Sequence, residues 1–195
     1  MQNAGGDTGN NPLLFISSIG TITHSGTGWD FNDTRFSNSG TITYAGTSIT
    51  MERNYTHNSA NFDLTGKTIT FDGTSGNDDT GLNCGSTGQF TFQGNVIINK
   101  TNVGGVFVTT TGCTVAGNFT RTDGLITNPG ATVTLTVQGD FSMSTTDQFG
   151  HSSMTLAFGG GNNQTITQND GGDIDSSPVQ VNKSGGVATL STNFS

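Results

Sequence analysis

Asp72-Gly73-Thr74-Ser75-Gly76-Asn77-Asp78-Asp79 is the densest gathering of hard oxygen donors in the chain, and Asp170-Gly171-Gly172-Asp173-Ile174-Asp175 is the second. Carboxylates and carbonyls on a flexible glycine-bearing loop suit calcium, which makes Asp72, Asp78 and Asp79 the cation candidates. Neither stretch has EF-hand spacing or the Gly-Gly-x-Gly-x-Asp nonapeptide. Solvated loops are therefore the preferred reading, and no cofactor is expected. Carboxylate pairs can also cleave sugars, but that chemistry needs two of them converging on a groove, often with cations to steady an anionic substrate. Here the Asp residues are scattered through turn-like segments and only six Lys and Arg accompany them. Turn formation explains them better. His24, His57 and His151 sit in polar contexts, and no Gly-x-Ser-x-Gly elbow occurs, so no nucleophilic triad is expected. The sequence is read as non-enzymatic.

Cys84 and Cys113 permit one disulfide in an oxidising compartment, or two separate buried thiols. Their spacing is unlike a metal site. Cys113 lies four residues before Gly117 and Cys84 ten before Gly94, so the two are not at equivalent points of the repeats, which weighs against the bridge. Trp29 with Phe31 forms a possible sugar-stacking pair, against a core or capping role. Thr-x-Thr steps such as Thr132-Val133-Thr134 invite an ice-binding reading, but their irregular intervals predict no flat array. Asn-x-Ser/Thr sequons, for example at Asn118, are no more frequent than this composition produces by chance.

These residues need a scaffold, and composition limits the choice. Charged residues make up 10% of the chain, Gly numbers 30 and Pro 3, and helix formers are scarce. An all-β fold is expected. The net charge of −8 leaves no basic surface for a phosphate backbone or anionic lipid, and no apolar run approaches membrane-spanning length. Nucleic acid and membrane insertion are thus excluded as expectations. An acidic, Lys-poor, Thr/Asn-rich surface fits an extracellular setting.

Repeats carry the main signal. Gly-Thr-Ile-Thr at Gly20 and Gly40 returns as Lys67-Thr68-Ile69-Thr70, at intervals of 20 and 27 residues. A Gly-Asn/Asp-apolar step appears as Gly94-Asn95-Val96, Gly117-Asn118-Phe119 and Gly139-Asp140-Phe141, with Thr192-Asn193-Phe194 as a degenerate fourth copy. Val96-Ile97-Ile98-Asn99-Lys100-Thr101 is echoed by Val179-Gln180-Val181-Asn182-Lys183-Ser184. Between these signals apolar and polar residues alternate over short stretches, as in Thr132 to Val137. Strands this short bury one face only by stacking coil on coil. The reading is a single-stranded parallel β-helix of degenerate ~20–27-residue coils, with a β-sandwich as the alternative. About eight or nine coils rising by roughly 4.8 Å each would make a rod around 40 Å long. Longer insertions are expected at 72–88 and 159–177. Residues 1–16 read as a polar lead with a first strand, and 17–195 as the repeat array, open at its C-terminal end.

The Val-Asn-Lys-Ser-Gly-Gly-Val-Ala-Thr-Leu-Ser-Thr-Asn-Phe-Ser wording at the end of the chain, with the Gly-Asn/Asp-Phe steps upstream, resembles the β-helical repeat regions of large secreted bacterial surface and adhesin-like proteins. The resemblance covers most of the chain from about Ser17 and implies a stalk, fibre or adhesive segment, with no catalytic residue carried over. The expected partners are further coils or a second copy, joined through exposed strand edges, and glycan is a further candidate. A carbohydrate-active β-helix and an ice- or glycan-binding module are the alternative functions.

Overall fold

The computed structural model describes residues 13–16, 22–24, 28–31, 33–36, 42–51, 55–57, 63–73, 80–83, 91–100, 105–108, 112–127, 132–144, 149, 153–169, 174 and 177–191. The first winding of the chain runs through β1 (Leu13–Ile16), β2 (Ile22–His24) and β3 (Gly28–Phe31). The second runs through β4 (Asp33–Phe36), β5 (Ile42–Tyr44) and β6 (Ser48–Met51). β7 (Tyr55–His57) and β8 (Thr68–Gly73) follow. Next come β9 (Thr80–Asn83), β10 (Thr91–Phe92) and β11 (Asn95–Lys100), then β12 (Gly105–Val108), β13 (Cys113–Val115) and β14 (Phe119–Asp123). After β15 (Leu125–Thr127), β16 (Val133–Val137) and β17 (Phe141–Met143), the chain passes through β18 (Met154–Phe158), β19 (Gln164–Gln168), β20 (Val179–Val181) and β21 (Ala188–Leu190). No helix occurs among the described residues.

Each strand pairs with its counterpart one winding away, and these pairings are parallel, so the molecule is a β-solenoid and not a sandwich. β1-β4-β7-β9-β12-β15 form one face, which the parallel bridge Ile126↔Phe149 extends. β2-β5 and then β10-β13-β16-β18-β20 form the second, and β3-β6-β8-β11-β14-β17-β19-β21 the third. β1 already pairs in register with β4, so the array takes in the strand assigned to the lead.

Alternation along each strand builds the core. On the third face Ile49, Ile69, Val96, Phe119, Phe141 and Ile166 occupy one inward column by register and are all buried. Leu135, Leu156 and their neighbours Val137 and Phe158 do the same on the second face. Phe119 and Phe141 stack with centroids 5.9 Å apart, and Phe149 and Phe158 each pack edge-on against Phe141 at 5.5 Å. Such a column needs only one or two apolar residues per strand, which is why so polar a chain folds.

The structure corrects three sequence expectations. Ile22 and Ile42 do pair, but Ile69 stands over Ile49, so the Lys67 copy of the first repeat lies on a different face from its two relatives. Thr-Ile-Thr alternation suits any face, whereas coil length decides which residue lies above which. The echo of Val96–Thr101 in Val179–Ser184 is likewise split, with β11 on the third face and β20 on the second. The place above Ile166 belongs to Leu190, and Thr192-Asn193-Phe194 lies outside the described residues. The two expected insertions each contain a ladder strand, β9 and β19, the latter resting on the single inward apolar residue Ile166 between Gln164 and Gln168.

The turn before β8 is closed by a carboxylate. Asp63 Oδ1 accepts a hydrogen bond from the Thr65 amide at 2.8 Å, and the Lys67 amide donates to the Leu64 carbonyl at 2.9 Å. Hydrogen bonds from the Thr65 side chain and then its backbone hold the Asp63 carboxyl below its usual value, with Lys67 adding a smaller pull. Because the folded value is depressed, the carboxylate's contribution is present above the ordinary carboxylate pKa and is lost as pH falls through the lowered one. The Thr65 amide resonance should titrate with that lowered midpoint, and Asp63→Asn should remove the titration.

Candidate functional site

The repeated Gly-Asn/Asp-apolar step is an inter-coil junction. Gly94, Gly117 and Gly139 sit one above another at the corner between the second and third faces, and a Cβ on Gly117 would fall well inside contact distance of the Gly94 carbonyl. The next residue reaches up the stack. Asn95 Oδ1 accepts from the Asn118 amide (2.9 Å), Asn118 Oδ1 from the Asp140 amide (2.9 Å), and Asp140 Oδ1 from the Thr165 amide (2.7 Å). The third residue, Val96, Phe119 or Phe141, enters the core column. The glycine thus allows close approach, the Asn or Asp supplies an inter-coil hydrogen bond, and the apolar residue is buried.

Further along the chain this corner widens, and side chains fill it. Gln164 is buried, and its Nε2 donates to the Val137 carbonyl at 3.1 Å and to that of Gly139. Lys183 Nζ donates to the Gly159 and Asn162 carbonyls at 2.8 and 2.7 Å and lies 3.4 Å from Gln164 Oε1. The Asn ladder resumes just before β19, with Asn163 Oδ1 accepting from the Val187 amide at 3.1 Å.

Two cations lie inside the solenoid. Lys100 and Arg121 are fully buried, and the Arg121 Nε donates to the Gly124 carbonyl. By register Arg121 stands between Ile98 and Met143, both apolar. Strict alternation along Phe119-Thr120-Arg121 and Val96 to Lys100 places both cations inward; composition alone, which assigns charge to the surface, misses them. Arg121→Met keeps most of the volume and sacrifices the bond to Gly124, and should lower stability by only about 1–2 kcal/mol in a denaturant titration.

Of the calcium candidates, Asp72 lies on β8 beside Asn99 by register, while Asp78 and Asp79 lie outside the described residues. Among the described residues no group of three or more His, Cys, Asp or Glu comes together. Cys113 is disulfide-bonded, and Cys84, the chain's other cysteine, lies outside the described residues. His24 and His57 fall on β2 and β7, Trp29 and Phe31 on β3, and His151 outside the described residues.

The last winding differs from those below it. Val179 and Val181 stand by register over buried Leu156 and Phe158, and Leu190 over buried Ile166. Yet they are 43%, 59% and 59% exposed, and Val187 is 61% exposed. Core positions here meet solvent. The backbone alternates in the same sense. Leu156 N donates to Pro178 O and Asn182 N to Phe158 O, while Gln164 N donates to Val187 O and Ser191 N to Ile166 O. The intervening Val179, Val181, Ala188 and Leu190 therefore direct their N–H and C=O groups to the open side.

This geometry defines a parallel β-solenoid with a largely apolar interior column. Comparison with family models, curated protein sequences and solved structures found no match.

Proposed function

We propose that the chain is a non-enzymatic structural and adhesive segment of a secreted surface protein, a length of rod that spaces or presents other parts outside the cell. The observation that carries this reading is the interior column itself, which runs in register from Ile49 to Leu190. A column of this kind is extended by adding coils, each burying apolar surface against the last. The disulfide at Cys113 supports an oxidising compartment. The acidic composition and the polar Thr, Ser and Asn on the outward positions support a hydrated exterior.

Incubation of the full chain with acidic and neutral polysaccharides tests the non-enzymatic part. No new reducing ends or unsaturated sugars are expected. Turnover that co-purifies with the chain and disappears on substitution of an Asp residue would replace this reading by a carbohydrate-active enzyme.

A further inference from the structure

We infer that Asp123 and Gly124 form a self-modifying site, whatever role the rod plays: the fold poises Asp123 to become isoaspartate through a cyclic imide, which adds a methylene to the backbone at a corner of the winding. β14 and β15 meet through Gly124 alone, so the path passes from the third face to the first in a single residue. Gly124 has a φ of 94°, a left-handed conformation that glycine adopts without steric cost. Just before it the ladder slips. Ile98 pairs with Arg121 but Asn99 pairs with Asp123, which leaves Thr122 as a bulge, its hydroxyl donating to the Ile98 carbonyl at 3.1 Å and to Asn99 Oδ1 at 2.7 Å. A bulge re-aims the side chain beside it. Here the half-buried Asp123 carboxyl is set on its own successor, and the Gly124 amide donates to Asp123 Oδ1 at 2.8 Å.

That hydrogen bond holds the Gly124 nitrogen against Asp123 Cγ, the arrangement that an unfolded chain must find by rotation. In the closing step the N–Cγ bond forms and a Cγ–O bond breaks. The hydroxyl of the carboxylic acid form leaves with the amide proton as water. Water then reopens the imide. Addition at Cγ restores aspartate, whereas addition at the Asp123 main-chain carbonyl leaves the chain running through Cγ, which is isoaspartate. Water is the only species released and consumed. The added methylene falls at a corner with no loop to take it up, beside the Gly124 carbonyl that accepts from Arg121 Nε.

The chain carries its own control. Asp72-Gly73 has the same residue types, but both lie within β8 and pair with Asn99 and Lys100 of β11, in extended backbone. Asp170-Gly171 lies outside the described residues. Residue type alone would treat Asp72 and Asp123 alike; geometry separates them.

The test incubates the full chain for several weeks in neutral buffer, one sample folded and one in guanidinium. Each is then digested, and isoaspartate is distinguished from aspartate by electron-transfer fragmentation. In the folded sample isoaspartate at position 123 should accumulate roughly fivefold faster than at position 72, and faster than at position 123 in guanidinium, where the two positions should converge. Equal accumulation at the two positions when folded, faster accumulation at 123 in guanidinium, or none at 123 would overturn the inference. Asp123→Asn should pass through the same imide with loss of ammonia, read as a gain in mass that appears sooner in the folded sample. A folded variant that keeps its mass longer than the unfolded one would also overturn it, and the unmodified chain decides the matter even where the variant does not fold.

Discussion

Phe141→Ala should cost about 4 kcal/mol, measured as the loss of unfolding free energy in guanidinium. The Phe141 ring is fully buried, lies between Phe119 and Phe158, and is met edge-on by Phe149. Its removal leaves a cavity that the neighbouring rings cannot fill, since Phe119 and Phe158 are fixed by their strands and Phe149 by its bridge to Ile126. In a quasi-one-dimensional array the damage is also directional. The windings before β17 and those after it are coupled through this layer, so a melt that is single in the unmodified chain should broaden or split. Phe141→Leu, which restores most of the volume, should recover more than half of the loss.

Gly117→Val is expected to do comparable harm, about 4 kcal/mol, without removing any contact. A Cβ at Gly117 would press on the Gly94 carbonyl below, and Gly139 is stacked against Gly117 from above. Both neighbours are backbone, held by ladder bonds on either side, so the only relief is to part the windings. That would break the bond from Asn118 N to Asn95 Oδ1 and the one from Gly139 N to Gly117 O. Hydrogen exchange should show the amides of Asn118 and Gly139 opening first. Gly185, where an added Cβ would sit 3.1 Å from the Gly161 carbonyl, should tolerate alanine much better.

The Gly-Asn/Asp-apolar step was legible in the sequence because it names a junction at one fixed point of the winding. Gly94, Gly117 and Gly139 accordingly fall in line. Thr-Ile-Thr was less informative, since alternation describes a strand and not its place in the cross-section, and Ile69 could therefore be matched to Ile42 instead of Ile49. The widened corner hid β19 for a related reason. With Gln164, Ile166 and Gln168 as its inward residues, only one carries the apolar signature, and Gln164 is inside because the Val137 and Gly139 carbonyls need a donor. Arg121 shows the limit of composition as a guide. The alternation of its strand points it inward, where the Gly124 carbonyl, brought near by the turn that follows, accepts from its Nε.

The ladder bonds between windings all run along the rod. Tension applied lengthwise therefore loads them directly, one winding at a time, instead of shearing them as a group. From Ile166 to Leu190 the path is 24 residues, enough to release roughly 80 Å of extended chain for each winding lost. A tether built this way would lengthen stepwise under load and shorten again by rewinding onto the part that remained, using the intact end as its template.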